Sequence, residues 1–201
     1  MQTIILATRN PNKVVELSAL LPGYKIVAMS EVGIDLDIEE TGATFAENAM
    51  IKARALREQL VATGRQDHYI VVAEDSGLCV DALDGRPGVF TARYRADICK
   101  NEHDQRLAML AEMKNQTNRA AQFVCVIACI LPDGTSNMVT GMTHGKISSA
   151  ERGENGFAFD QIFESNELGK TFAEATAEEK DRVSHRGRAA ARLSEYLRSI
   201  E

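Results

Sequence analysis

The stretch that decides the fold is AQFVCVIACIL, residues 121–131. Side chains in a strand alternate between the two faces of a sheet. Phe123 and Cys125 would lie on one face and Val124 and Val126 on the other, and all four are apolar. A strand that is apolar on both faces is covered on both sides, so the stretch predicts a central strand. The turn residues of Pro132–Gly134 predict a hairpin into a further strand that starts near Ser136.

Helical and strand patterns alternate along the rest of the chain. Short apolar runs predict strands at 4–7, 24–28 and 70–73, and apolar periodicity predicts helices at 14–21, 45–63, 103–114 and toward the C-terminus. Thr44 with Glu47, and Thr176 with Glu179, form capping-box patterns that open helices. This interleaving predicts an α/β fold with a mixed sheet flanked by helices, in one domain over residues 1–201.

Composition narrows the functional classes. The chain has 201 residues, 44% of them hydrophobic, and a formal net charge of −6. Nucleic-acid binding normally needs a basic surface, so no nucleic-acid partner is expected. The sequence has no long apolar run, so no membrane partner is expected. The four cysteines form no C-x-x-C pair, which disfavours zinc and thioredoxin-like sites. No basic segment precedes a long apolar stretch near the N-terminus, so we expect a cytoplasmic protein with reduced thiols.

Glu74 and Asp75 follow the apolar run at 70–73 and precede Ser76-Gly77, which we interpret as the turn that ends the strand. Two carboxylates at the end of a buried strand repel each other, and burial raises their pKa values. A divalent cation such as Mg²⁺ would relieve both effects, with Asp75 and one acid of the Glu39–Glu40 pair as ligands. The alternatives are a capped turn at 74–77 and a solvated acidic loop at 39–42.

The loop Thr8–Lys13 joins the first predicted strand to the N-terminus of a helix, a position that suits a phosphate group. Lys13 adds a full positive charge in the first helical turn. The loop lacks the glycines of a Walker A motif. The alternative is structural: Asn10 caps the helix, Pro11 starts it and Lys13 is solvated.

Two C-terminal segments are candidates for nucleotide recognition. Phe157 and Phe159 could offer a ring face to a nucleobase, or both could be core residues at the start of a strand. The segment 180–188 concentrates basic residues in an acidic protein, which favours either an anion site or a solvated basic face.

In chain order, these segments resemble the inosine triphosphate pyrophosphatase family, of the Ham1/RdgB type, from near residue 3 to near residue 199. The motifs that carry the resemblance are Thr8-x-Asn10-x-x-Lys13, Glu39-Glu40-Thr41-Gly42-x-Thr44-Phe45-x-Glu47-Asn48-Ala49, Asp75-Ser76-Gly77-Leu78, Pro87-Gly88-Val89, Gly156-Phe157-x-x-Asp160 and Ser184-His185-Arg186-Gly187. The resemblance implies an elongated fold of two lobes with the active site in a cleft between them, a magnesium requirement and a homodimer.

The resemblance also implies roles for individual residues. Asp75 would be the general base and a magnesium ligand, with Glu39 as the second ligand. The substrate would be bound by Thr8, Arg9, Asn10, Pro11, Asn12, Lys13, Ser76, Phe157, Ala158, Phe159, Asp160, Lys180, His185 and Arg186. The chain departs from the family pattern at Glu74, at Gln161 and in the sequence Phe-Ala-Phe-Asp at 157–160, where Phe-Gly-Tyr-Asp is commoner.

The function that the resemblance implies is hydrolysis of ITP, dITP or XTP to the monophosphate and pyrophosphate. Donor groups such as an Arg side chain would donate to the keto oxygen of a 6-keto purine and would leave the 6-amino group of ATP unmatched. The alternatives are a Maf-like pyrophosphatase for other modified nucleotides, which the Ser184–Gly187 motif disfavours, and a nucleotide sensor without hydrolysis, which Asp75 and Lys13 disfavour.

Overall fold

A computed structural model describes residues 2–200 of the chain. Its strands are β1 (Thr3–Leu6), β2 (Lys25–Ala28), β3 (Ile70–Val80), β4 (Ala120–Ile130), β5 (Ser136–Ile147) and β6 (Phe163–Ser165). Its α-helices are α1 (Pro11–Leu20), α2 (Phe45–Ala62), α3 (Glu102–Glu112), α4 (Ala177–Val183) and α5 (His185–Ser199). Within the described range, no helix combines the length and the apolar character that a membrane crossing requires.

The strands form one six-stranded sheet in the order β2-β1-β3-β4-β5-β6. Strand β1 pairs in parallel with β2 and β3, whereas β5 and β6 are antiparallel. The prediction of a mixed α/β sheet is therefore confirmed. Strand β4 lies in the interior of the sheet, and every residue from Cys125 to Ile130 is buried, which confirms the interpretation of 121–131 as a central strand.

The chain divides into two compact units, each with its own core. The first unit contains the chain up to Asp75, residues 125–141 and the chain from Ala189, and the second contains 76–124 and 142–188. In the first unit, Leu17 and Leu21 pack with Cys125, Ile127 and Leu193. The core of the second unit is rich in aromatic rings: Phe123 lies edge-on to Phe163 at 4.7 Å between centroids, and Phe163 is 5.1 Å from Phe172.

One predicted boundary is wrong, and it matters for function. The Ser76-Gly77 pair does not end the third strand, because β3 continues through it to Val80. Apolar residues resume at Leu78 and Val80, both fully buried, and this second apolar segment keeps the chain extended. Glu74 and Asp75 therefore lie in the middle of a buried strand. Burial without a strand end demands local partners for both carboxylates.

Helix starts agree with the capping patterns more closely than helix ends do. Thr44 and Thr176 each accept a hydrogen bond from the backbone of a glutamate three residues later, which confirms both capping boxes. Helix α1 begins at Pro11, three residues before the predicted start, with Asn10 as its cap. On α5, Leu193 and Leu197 are buried, whereas Ile200 lies beyond the helix and is 48% exposed.

Candidate active site

A buried charge cluster surrounds Asp75 in the first unit. The Nζ atom of Lys52, on α2, lies 3.4 Å from Oδ1 of Asp75 and 2.5 Å from Oε1 of Glu40. The side chains of Lys52 and Asp75 are 10% and 8% exposed, so water screens their interaction weakly. One ammonium group thus bridges β3 and the acidic loop before α2.

The environment of Asp75 raises the pKa of its carboxyl group above the ordinary value of an aspartate. Burial raises the pKa of Asp75 above its ordinary value, and the charge of Glu40 raises it further. The positive charges of Lys52 and Lys13 oppose this rise but do not cancel it, so the net pKa is raised. A general base is most effective when its pKa is close to the working pH.

Asn48 connects the acidic loop to this cluster. Its side chain is fully buried on α2, and its Oδ1 accepts the Gly42 N–H at 2.8 Å. The amide of Asn48 also lowers the pKa of Asp75, although neither Asn48 Nδ2 nor Asp75 Oδ2 reaches hydrogen-bonding geometry with any described residue. A Cβ at Gly42 would lie 2.7 Å from Asn48 Oδ1, so only glycine allows this approach.

Glu74 has a partner of its own. Its Oε1 lies 3.0 Å from Nζ of Lys13, and the two side chains are 2% and 18% exposed. Its Oε2 lies 3.8 Å from the thiol of Cys125 on β4. Glu74 is therefore the buried counter-ion of Lys13, and the structural alternative of a solvated Lys13 does not hold.

Side chains of the loop itself engage two backbone donors at the start of α1. The Asn10 N–H is bound by the Thr8 hydroxyl, and the Asn12 N–H is bound by the Asn10 side chain. Pro11 has no N–H, so the Lys13 N–H is the next backbone donor of this turn. Arg9 instead pairs with Asp35 and Asp37, both of which are exposed.

A second cluster, in the second unit, surrounds the ring of Phe157. Lys180 Nζ lies 5.1 Å and Arg186 Cζ 5.7 Å from the centroid of this ring. Asp160 Oδ2 accepts both the Phe157 N–H at 2.9 Å and the Lys180 ammonium at 2.8 Å. The ring is half-buried, so it lies near two cations and is partly open to solvent.

The motif Ser184–Gly187 builds the start of α5. The Ser184 hydroxyl accepts the Gly187 N–H at 3.0 Å, as a helix cap does. The ring of His185 stacks on Phe123 at 4.7 Å, and Arg186 donates to the Ser76 hydroxyl at 3.3 Å. His185 and Arg186 are 4% and 2% exposed, so the basic segment is not a solvated face.

The two phenylalanines of the 157–160 segment have different surroundings. Phe159 is 1% exposed and packs edge-on to Tyr94, as the core alternative expects, and its place in a nucleotide pocket stays a prediction. Phe157 keeps the position of a possible base platform. Ala158, between them, has a φ of +52°, and this left-handed backbone sends the two rings to different environments.

Sequence reasoning missed Lys52 and did not use Asn48. The two residues are four positions apart on α2, beside the buried stripe of Ala49, Ala53 and Leu56. A lysine and an asparagine next to an all-apolar stripe are a signal of buried polar partners. The sequence also could not decide between Glu39 and Glu40, and the structure brings Glu40 to Lys52 while Glu39 is exposed.

The acidic groups present fit a magnesium ion. Asp75 Oδ2 is buried without a hydrogen-bond partner among residues 2–200, and an orphaned carboxylate oxygen of this kind is suited to a cation. The same residues contain no group of three or more His, Cys, Asp or Glu side chains arranged around one point. Magnesium commonly uses only one or two carboxylates, with water and phosphate oxygens as the other ligands.

Buried carboxylates and ammonium groups, as around Asp75, suit phosphate chemistry, and an aromatic ring near cations, as around Phe157, suits a flat heterocycle. Residues 4–196 match the model of the Ham1 family. A dITP/XTP pyrophosphatase of Clostridium perfringens is 41% identical over 100% of this chain and 99% of its own length. A dITP/XTP pyrophosphatase of Treponema denticola is 43% identical over 97% of this chain and 98% of its own.

Comparison of the fold with solved structures leads to the same family. The structure of the Staphylococcus aureus Ham1 protein matches with a TM-score of 0.86 and 38% identity, and the match covers 100% of both chains. The chain therefore belongs to the Ham1 family.

Proposed function

We propose that this protein hydrolyses ITP, dITP and XTP to the nucleoside monophosphate and pyrophosphate. The observation that carries the proposal is the buried Asp75, whose pKa is raised, in one cluster with Lys52 and beside the Lys13–Glu74 pair. The names of the full-length relatives support the same substrate class.

In the proposed reaction, an ionised Asp75 carboxylate accepts a proton from a water molecule. The water oxygen forms a bond to the α-phosphorus, and the bond from that phosphorus to the α–β bridging oxygen breaks. The bridging oxygen leaves with the electron pair as part of pyrophosphate. Lys52 holds Asp75 Oδ1, which leaves Oδ2 as the oxygen that is not already engaged by described residues.

Lys13 is proposed to stabilise the leaving pyrophosphate. Negative charge grows on the bridging oxygen as the bond breaks, and a fixed ammonium group with a neighbouring backbone N–H offsets that charge. Glu74 holds the ammonium in place at 3.0 Å. Thr8, Arg9, Asn10, Pro11 and Asn12 stay predicted as the remainder of the triphosphate loop.

The proposal includes Mg²⁺, held by Asp75 with an acid of the Glu39–Glu40 pair. The resemblance favours Glu39, whereas the contact of Glu40 with Lys52 favours Glu40. When bound, the ion would polarise phosphate oxygens and lower the pKa of a coordinated water.

Base selection is assigned to the cluster around Phe157. A purine would stack on the Phe157 ring, and donors such as Arg186 would match the 6-keto group of inosine or xanthine. The 6-amino group of ATP would face another donor, and each unmatched buried donor costs about 1–3 kcal/mol, or about 5- to 150-fold in affinity. Ser76 and His185 are predicted to complete this recognition, together with Lys180 and Asp160.

The test is pyrophosphate release with Mg²⁺ across ITP, dITP, XTP, GTP, ATP and UTP, with Asp75→Asn as the inactive control. The proposal predicts turnover of the first three well above ATP and UTP. Tight binding of ITP without hydrolysis is the result expected of a sensor, and preference for UTP is the result expected of a Maf-like enzyme. A homodimer and a cytoplasmic location remain predictions for size measurement and fractionation.

A further inference from the structure

The second unit contains a clamp on the peptide of Ala158. Glu102 Oε2 accepts the Ala158 N–H at 2.8 Å, and Arg106 Nη1 donates to the Ala158 carbonyl at 3.0 Å. Glu102 and Arg106 are four residues apart on α3, so they share one face of that helix. Arg106 is itself fixed by a contact with Glu151.

The clamp acts on a backbone conformation that alanine disfavours. Ala158 has a φ of +52°, in the left-handed region that glycine enters far more easily than a residue with a Cβ. Because both polar groups of this residue are held by α3, the unfavourable conformation is offset by two hydrogen bonds. A glycine at this position would adopt the same backbone without such support, so alanine depends on the clamp more than glycine would.

The conformation of Ala158 determines where the Phe157 ring lies. Phe159 is anchored in the core against Tyr94, and the Phe157 N–H is bound to Asp160. With both sides of Ala158 anchored, its left-handed turn directs Phe157 toward Lys180 and Arg186. A different backbone at Ala158 would move the ring away from these cations.

We infer that Glu102 and Arg106 are positioning residues for purine recognition, because they hold Ala158 in the conformation that presents Phe157 to the base. This inference rests on the proposed function in one respect, the role of Phe157 as the base platform. Neither residue needs to touch the nucleotide. Their effect should fall on binding of the base and not on the phosphate chemistry.

The kinetic test compares Glu102→Ala with Glu102→Gln, which keeps an oxygen for the Ala158 N–H. Loss of one such hydrogen bond corresponds to a change of about 3- to 10-fold in affinity. Glu102→Ala should therefore raise the KM for dITP by that factor, while kcat stays within about twofold of the parent value. Glu102→Gln should stay near the parent. Adding Ala158→Gly to Glu102→Ala should lower the KM most of the way back to the parent value, because glycine adopts the left-handed backbone without the clamp.

A binding test without turnover uses the absence of tryptophan from this sequence. Phe157→Trp introduces a single indole at the proposed platform, and its fluorescence reports stacking of IMP. In this background, Glu102→Ala should weaken IMP binding, while inhibition by pyrophosphate, which has no base, should not change. Arg106→Met should have the same pattern as Glu102→Ala.

Each outcome has a defined meaning. Unchanged IMP affinity and unchanged KM in Glu102→Ala and Arg106→Met would overturn the clamp while leaving the pyrophosphatase proposal intact. Equal weakening of IMP and pyrophosphate, or no recovery with Ala158→Gly, would also overturn it, because the effect would then be general destabilisation. If the parent protein hydrolyses none of the 6-keto purine triphosphates but IMP stacks on the indole and depends on Glu102, the proposed function fails and the clamp stands.

Discussion

Lys52→Met tests whether the buried cluster at Asp75 is energetically coupled. The substitution keeps an unbranched apolar stem and removes the ammonium that lies 3.4 Å from Asp75 and 2.5 Å from Glu40. At 3.4 Å and an effective dielectric constant of about 20, the Coulomb attraction to Asp75 alone is about 5 kcal/mol. Removing one partner of a buried pair costs about 3–5 kcal/mol. Because Glu40 is partly exposed, we expect a loss of about 3 kcal/mol.

Urea unfolding at neutral pH measures this loss as a lower transition midpoint, by about 1 M or more for a typical slope. The matched control is Lys170→Met, which breaks a 2.7 Å pair with Glu179 whose side chains are 34% and 41% exposed. A pair of that kind contributes at most about 1 kcal/mol. In the Lys52→Met background, Asp75→Asn should recover stability, because it removes the carboxylate that lost its partner.

Added Mg²⁺ extends the same experiment to the metal site. If Glu40 and Asp75 bind the ion, Mg²⁺ should raise the unfolding midpoint of Lys52→Met, because a ligand that binds only the folded state stabilises it. Energetic coupling of the Asp75 cluster is excluded if Lys52→Met loses no more stability than Lys170→Met. Such coupling is also excluded if Asp75→Asn destabilises the Lys52→Met protein further.

Three further predictions concern Asp75, Lys13 and Gly187. Asp75→Asn should lower kcat by about 10²- to 10⁴-fold. Because burial raises the pKa of Asp75, ionisation costs stability as the pH rises above the ordinary value of 3.8. Asp75→Asn should therefore melt above the parent at pH 7, with the difference vanishing in acid; a lower melting temperature at pH 7 would contradict this. Lys13→Met should lower kcat/KM at least about tenfold and destabilise the fold by about 3 kcal/mol. Adding Glu74→Gln to Lys13→Met should restore the stability but not the activity; recovery of both would assign Lys13 a structural role only. Gly187→Ala places a Cβ 1.8 Å from the Asp181 carbonyl oxygen and should cost about 1–3 kcal/mol in urea unfolding and raise the KM for dITP; an unchanged KM would separate the start of α5 from base recognition.

The sequence predicts most of the fold because its signals are local. The apolar stretch at 121–131 and the capping pairs at Thr44 and Thr176 each depend on residues within one element, and the structure confirms all three. The end of β3 was not predictable in the same way. Ser76-Gly77 is a strong turn signal by itself, but pairing within the sheet and burial of Leu78 and Val80 keep the strand extended.

The sequence predicted individual residues of the candidate site but not the residues with which they interact. Asp75 and Lys13 follow from their positions after a strand and at a helix start, but their partners come from distant elements. Lys52 lies 23 residues from Asp75, and no local pattern links the two. The Glu102 contact with Ala158 spans 56 residues, so only the folded chain reveals the clamp.

The most direct measurement of the central proposal is hydrolysis of dITP with Mg²⁺ in ¹⁸O-labelled water, followed by mass spectrometry of the products. Attack of an Asp75-activated water on the α-phosphorus predicts one labelled oxygen in dIMP and none in pyrophosphate. Label in pyrophosphate, or release of orthophosphate in its place, would contradict the account.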